Sequence, residues 1–398
     1  MLLLAHLLLM LHLSAASSSR AVVVGAGYAG MAAAHHLQQL LGVDCGVSLY
    51  EDPSAGSSKA SLVSAGLLHP LTPSGKLMWR GAEALSESLS LLDYVQQRNT
   101  AGQAGSSVLY NKAIKLVRPF YAQEEMDAWM RASLDPGVAS YLEMRLPEHF
   151  LQDVLAADRI NRELFVDLKG AAELKGSVCV NSKRYLEGLL ARLRERSNFE
   201  MVNVKVNSSS ELAEIAARAP LVIVAAGAGV AQLWEGEPAL PVKYARGQNL
   251  LIRSSSVLSS SVALLAGEYL VPCGDEGDAA HIFGATYEYG DEQFLSRTPD
   301  AAAASTLLAE KYRELLGSTD PQLLNKTDIL SCNAAVRVVA RRTNIGKIPI
   351  VRRHSRLKNV WLLSGLGSRG LLYHSLLAKL VAKAAVSGDE SLIPKELM

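Results

Sequence analysis

The chain has 398 residues, of which 49% are hydrophobic and 20% charged, with 40 Lys and Arg against 39 Asp and Glu. That length supports two domains with separate cores, and the near balance of charge excludes bulk attraction to nucleic acid or membrane as a guide to partners. Four dispersed cysteines, Cys45, Cys179, Cys273 and Cys332, form no CxxC pair and no His–Cys cluster, so neither a disulfide framework nor a metal site is expected.

Residues 1–19 stand apart. Leu2 to Leu13 is an apolar run broken by His6 and His12, and small residues from Ser14 to Ser19 follow it. The run is short for a bilayer span and resembles a signal-peptide core, yet no Lys or Arg precedes it. It reads as a leader or targeting segment, which leaves cytoplasmic and organellar locations open. No later stretch suggests a transmembrane helix.

From Arg20 to Val24 one charge precedes a continuous Ala/Val run, the pattern of a strand buried on both faces of a parallel sheet. Gly25-Ala26-Gly27-Tyr28-Ala29-Gly30 ends it, and Ala29 to Leu41 reads as a helix. A second strand, Gly46 to Tyr50, ends at Glu51, which lies 26 residues after Gly25. Strand, Gly-rich turn, helix, strand and terminal acid predict a dinucleotide site. In such a cofactor site, formed by Gly25, Gly27, Tyr28, Ala29 and Gly30, Gly25 would permit the tight turn, Gly27 would let a pyrophosphate approach the helix N-terminus and Gly30 would let the helix pack close to the strand, while Glu51 would hold a ribose hydroxyl. An acid at that place argues against a ribose 2′-phosphate.

Four further segments follow. Ser64-Ala65-Gly66-Leu67-Leu68-His69-Pro70 is a small-residue turn. Leu221 to Val224 reads as another buried strand, ending in Ala225-Ala226-Gly227-Ala228, with Pro241-Val242 and Arg246-Gly247-Gln248 shortly after. Glu268 to Pro272 and the segment from Phe283 to Glu288 alternate as two strands about a polar turn at 274–278. Asn359 to Leu363 reads as a strand, followed by Gly365-Leu366-Gly367-Ser368-Arg369-Gly370-Leu371-Leu372 and a helix to about Val386. The Ser254-to-Ser261 cluster reads as a loop.

In this order, from Arg20 to Lys383, the segments resemble the FAD-dependent amine and amino-acid oxidoreductases, the group of D-amino-acid oxidase, glycine oxidase and sarcosine oxidase. They are similar also to the flavin domain of the bacterial enzyme that trims carboxymethylaminomethyl-uridine in tRNA. The resemblance implies FAD as cofactor. It places Gly66 and Leu67 close to the flavin, and Ala226 and Gly227 where the chain returns to the nucleotide domain. Gly365, Gly367, Ser368, Arg369, Gly370 and Leu371 would lie at the flavin's pyrimidine end, where Arg369 would add charge or help hold a substrate carboxylate. Tyr269 and Tyr287 would line the substrate pocket, and Arg337 would bind a substrate carboxylate through two parallel bonds. No catalytic base is demanded, because hydride passes from the carbon beside nitrogen to the flavin.

The chain departs from the pattern in two places. No acid lies between Arg337 and Pro349, and Tyr373-His374-Ser375-Leu376 stands where the tRNA enzyme has Ala-Pro-Leu. His69 and His374 lie in flavin-facing segments and read as structural. Cys332 lies near the position of a covalent flavin link in sarcosine oxidase, but its register does not fit. From Arg337 to Lys358 eight Lys or Arg residues occur with no acid, a run that suits a solvated hairpin or a polyanion such as tRNA.

The expected fold is α/β: a discontinuous Rossmann-like FAD-binding domain (20–75, 176–238 and 328–398) with a mixed-sheet α+β substrate domain (76–175, taken as a helical insert, and 239–327). The expected activity is oxidation of the C–N bond of a small amine or amino acid to an imine that water hydrolyses. A non-enzymatic FAD-binding assembly factor or scaffold, and a tRNA-trimming flavoenzyme, are the alternatives. Substrate identity and the choice between oxidase and dehydrogenase stay open.

Overall fold

The computed structural model describes residues 20–43, 45–99, 109–154, 164–253, 259–273, 280–290 and 295–398. The leader at 1–19, the polar turn at 274–278 and most of the Ser254–Ser261 cluster lie outside them.

β1 (Arg20–Val24) owes its apolar run to its place inside a parallel sheet. It pairs in parallel with β2 (Gly46–Tyr50) on one side and β10 (Val222–Val224) on the other. β9 (Phe199–Val202) extends the sheet beyond β2, and β19 (Val360–Ser364) beyond β10. β18 (Ile350–Arg353) closes the edge antiparallel to β19, so the order is β18-β19-β10-β1-β2-β9. On one face the alanine-rich helix α1 (Tyr28–Leu41) packs against the C-terminal helix α8 (Gly370–Ser387). α2 (Gly81–Asn99) and α5 (Ser182–Arg194) join that layer, whose core includes Leu37, Leu92, Leu189 and Leu377. Asn181 caps α5 by accepting from the Arg184 amide, and Ser208 caps α6 (Ser209–Arg218) on the other face in the same way.

A second sheet has eight strands. Its long edge pair, β11 (Val242–Arg253) and β15 (Asp328–Ala340), is antiparallel along its length. Beyond β11 come β14 (Ala280–Gly284), β13 (Glu268–Pro272), β12 (Val262–Ala266), β5 (Lys115–Phe120), β7 (Gly170–Leu174) and β6 (Leu142–Arg145). Alternation along each strand sends one set of side chains, including Leu250, Leu264, Leu270 and Phe283, under α7 (Ala301–Leu315) and against Phe150 of α4 (Pro147–Val154). The other set packs with Trp129 of α3 (Gln123–Ser133). A small sheet, β3 (Leu67–Leu68), β8 (Val178–Val180) and β4 (Tyr110–Asn111), and the hairpin β16 (Arg342–Thr343)–β17 (Gly346–Lys347) complete the strands.

Two features differ from the reading of the sequence. The stretch from 76 to 175 is not a helical insert, since it supplies β5, β6 and β7 to the eight-stranded sheet. And β15, placed with the nucleotide domain by a boundary at 328, pairs throughout with β11. Its backbone groups are satisfied there, and the chain returns to the six-stranded sheet only at β18. Among the described residues, no helix is long and apolar enough to cross a membrane.

Candidate cofactor and substrate site

The turn after β1 brings the backbone unusually close to itself. A Cβ at Gly30 would lie 1.7 Å from the Gly25 carbonyl oxygen, so only glycine lets α1 start this near the strand. Gly27 is the N-cap of α1 and offers no side-chain cap, which leaves first-turn amides and the positive end of the helix to a ligand. The Tyr28 amide donates to Ser61 Oγ (3.1 Å) and the Ala26 amide to Glu51 Oε2 (2.6 Å). The other carboxylate oxygen of Glu51 is ion-paired with Lys59. Glu51 thus braces the loop from the end of β2, the place where a ribose would sit.

One cavity of about 1160 Å³ runs from this loop to the inner face of the eight-stranded sheet. Gly25, Gly27, Tyr28, Ala29 and Glu51 line it, as do Gly66, Leu67, Ala226 and Gly227. So do Gly365, Gly367, Ser368, Arg369, Gly370 and Leu371, together with Tyr269, Tyr287 and Arg337. Gly30 is the exception among the expected residues. It sits behind the turn, where it serves helix–strand packing and touches no ligand space.

The loop from Ser64 to Pro70 is held just as closely. A Cβ at Gly66, whose φ is +73°, would lie 1.8 Å from the Val180 carbonyl oxygen. Tyr28 Oη bonds Ser64 Oγ (2.9 Å), which bonds Ser182 Oγ (2.8 Å), tying α1, this loop and α5 together. Burial pushes the Tyr28 hydroxyl up to about 12, so it remains a neutral member of the chain. Arg369 Nη1 lies 3.2 Å from His69 Nε2. A guanidinium only donates, so Nε2 accepts and the ring proton resides on Nδ1. Burial, and then the Arg369 charge, hold His69 down to about 3. Nδ1 and Ser364 Oγ are buried and lack a hydrogen-bond partner among the described residues. Both residues line the cavity. Glycine-lined backbone, a helix N-terminus and unpartnered polar atoms in the wall fit the FAD expected from the sequence.

His374, by contrast, belongs to the scaffold. Its Nδ1 donates to the Leu371 carbonyl (2.8 Å) and its Nε2 accepts from Tyr185 Oη (2.6 Å), wholly out of solvent. Burial lowers it to about 4.

At the sheet, Arg337 reaches into the cavity from β15. Its guanidinium lies over the Tyr287 ring (4.6 Å) and Nη2 donates to the Thr286 carbonyl (3.1 Å), while Nε has no partner among the described residues. Tyr269 is raised by burial, with the Asn249 hydrogen bond and the Arg337 charge pulling the other way, so its hydroxyl is a neutral donor. Tyr287 stands at the rim, 45% exposed. Cys332 points to the opposite face, toward the core under α7, and does not line the cavity. The basic run does not form one patch. Arg337 is inside, Arg353 pairs with Glu390 and Arg356 with Glu237, while Arg341, Arg342 and Lys347 are exposed.

Several lining residues carried no local signal in the sequence: Asn249, Arg118, Trp129, Arg297 and the stretch 204–207 after β9. They come from strands, a helix and loops far apart in the chain, and only the tertiary fold brings them to one cavity.

Residues 20–384 match the family described as FAD dependent oxidoreductase, DAO. Among curated proteins, the chain is 26% identical over 412 residues to the tRNA 5-methylaminomethyl-2-thiouridine biosynthesis bifunctional protein MnmC of Azoarcus sp. (strain BH72). That alignment covers 96% of this chain and 59% of the relative, so the chain spans little more than half of it. Among solved structures, glycine oxidase from Geobacillus kaustophilus superposes with a TM-score of 0.71 at 17% identity, covering 93% of this chain and 95% of that one. Iminodiacetate oxidase (IdaA) from Chelativorans sp. BNC1 gives 0.68 at 18% identity, covering 95% and 98%. With the family match spanning nearly the whole described chain, this protein belongs to the DAO family of FAD-dependent oxidoreductases, and its cofactor is FAD.

Proposed function

We propose that this oxidoreductase oxidises the C–N bond of a small amine or amino acid that carries a carboxylate near the nitrogen. The observation that carries the reading is Arg337: a guanidinium held inside the cavity, with Nε unpartnered among the described residues and neutral Tyr269 within its electrostatic reach. FAD, when bound, would supply the hydride acceptor for the carbon beside nitrogen. The residues of the chain do the rest by position. Arg337 and Tyr269 would fix the carboxylate, and so set which carbon meets the flavin. The amine N–H proton leaves to solvent, and water then converts the imine to a carbonyl compound and a free amine. The similarity to glycine oxidase and iminodiacetate oxidase supports this substrate class.

The test is anaerobic reduction of the yellow protein by a panel of glycine, sarcosine, D-amino acids and iminodiacetate. At least one amine should bleach the flavin. Arg337→Ala should raise KM for that amine about 100-fold while FAD stays bound, since two charge-assisted bonds are lost. Absence of bleaching by every amine, with FAD fully bound, would overturn the reading and leave a non-catalytic role. Loss of FAD on Arg337→Ala would mean that the residue serves the cofactor instead.

A second reading, trimming of a uridine side chain in tRNA, draws on the similarity to MnmC and on one surface feature. Exposed Tyr287, at the cavity rim, and Tyr289 meet edge to face (5.3 Å) beside Lys243 and Lys347, a pairing of rings and cations suited to bases and phosphates. Retention of modified tRNA that falls steeply with salt supports it, and no retention at low salt removes it.

A further inference from the structure

The cavity continues past Tyr269. Asn333, Asn249, Gly284 and Tyr269 stand directly across from one another on β15, β11, β14 and β13. Tyr269 pairs with Leu265 on β12, and the parallel register that matches Leu264 with Val117 brings Leu265 beside Arg118 on β5. Side chains of one such row share a face, and Asn333, Asn249, Tyr269, Leu265 and Arg118 all line the cavity. Two strand spacings separate β13 from β5, so Arg118 lies roughly 10 Å along the sheet from Tyr269.

The far end is polar in a specific way. The Arg118 side chain is 12% exposed and lies over the Trp129 ring (5.3 Å). Its Nη2 is taken by Glu125, but its Nε–H is buried and has no acceptor among the described residues. The Trp129 indole N–H is in the same condition. Two buried donors without an acceptor cost stability unless something accepts from them.

We propose that Arg118 and Trp129 form a second recognition end, which takes an oxygen acceptor at the distal terminus of an elongated amine substrate. The substrate class this defines is an amine with one carboxylate near the nitrogen and a carboxylate or carbonyl at the far end of an extended chain, about two strand spacings past Tyr269. The inference rests on the reading of Arg337 and Tyr269 as the near clamp. In that arrangement the near carboxylate sets the reacting carbon, and the distal group selects long substrates over glycine-sized ones.

The holoenzyme can be titrated with unreactive ligands, following the visible spectrum of bound FAD. The ligands are straight-chain α,ω-dicarboxylates from succinate to dodecanedioate and the monocarboxylates of equal length. At one chain length the diacid should bind about tenfold or more tighter than its monoacid, the effect of one charge-assisted hydrogen bond. In Arg118→Gln and in Trp129→Phe that ratio should fall toward one. Trp129→Phe removes the N–H together with part of a buried ring, so the diacid-to-monoacid ratio is taken within each variant, where lost packing affects both ligands alike. A ratio of one at every length, or a ratio that neither substitution changes, overturns the proposal. If monocarboxylates bind in an Arg337-dependent way and no diacid gains, the distal end alone is wrong. If no carboxylate perturbs the flavin, the near clamp falls and the distal end with it.

Discussion

Gly30 and Gly66 are where a single atom decides the site. Each lies with its Cα against a carbonyl oxygen, at distances no Cβ tolerates. Gly30→Ala must push α1 off the Gly25 turn, and Gly66→Ala must push the Ser64–Pro70 loop off β8. Either change should cost about 3 kcal/mol and weaken FAD retention, read as a lower melting temperature and flavin lost on gel filtration. A variant with unchanged melting and full flavin would show that the loop relaxes freely. The GxGxxG pattern and the Ser64–Pro70 turn were legible as sequence because such approaches admit one residue type. The role of Gly30 in packing the helix close to the strand follows from the same pattern, and the helix in place gives its measure, 1.7 Å from a Cβ to the Gly25 carbonyl oxygen. His69 shows the limit of residue-level reading: its segment was legible, but its accepted bond from Arg369 and its buried Nδ1–H were not.

Among the elements, α8 carries the departure from the tRNA enzyme's pattern at Tyr373-His374-Ser375. The structure supplies its reason. His374 joins α8 to α5 through Tyr185, and Tyr373 Oη donates to the Trp79 carbonyl (2.7 Å). These residues point into the helical layer and bear on helix packing. Tyr185→Phe leaves His374 Nε2 buried without a donor, and should destabilise the protein by about 1–3 kcal/mol. The expected readout is a lower melting temperature of the holoenzyme with the same KM for whichever amine reduces it. A changed KM at unchanged melting would place His374 in the chemistry instead. Strand existence was legible for β1, β2, β10, β13 and β19 from apolar runs or alternation. β5, β6 and β7 escaped because their residues alternate weakly and Pro119 interrupts the first, and a strand's sheet is set by partners far away.

At the scale of the molecule, imidazoles shielded from water make stability depend on pH. Burial lowers His36 and His69 to about 3, His35 and His374 to about 4, and His354 in the same direction, against an ordinary value near 6.5. Below pH 6.5 the unfolded chain takes up protons that the folded chain refuses. Stability is therefore complete above 6.5 and falls as pH drops toward 4. Thermal melts of the holoenzyme should show a lower midpoint at pH 5 than at pH 7.5. A flat profile across that interval would mean that these rings are not held neutral. Carboxylates with lowered values act below this window and do not cancel the effect.

The sequence by itself determined the dinucleotide cradle, and the order of its later segments carried the resemblance that implies FAD. A dinucleotide site is built from backbone held close, and close backbone demands glycine at fixed spacing along a continuous stretch. Tertiary structure alone decided the shape of the substrate end. Arg337, Tyr269 and Arg118 sit on strands that are distant in the chain and neighbours only through hydrogen-bonded register, so no local pattern records that they share one wall. The same cause hid the membership of β15 and the strands within 76–175, because pairing is a property of two segments at once and neither carries it alone.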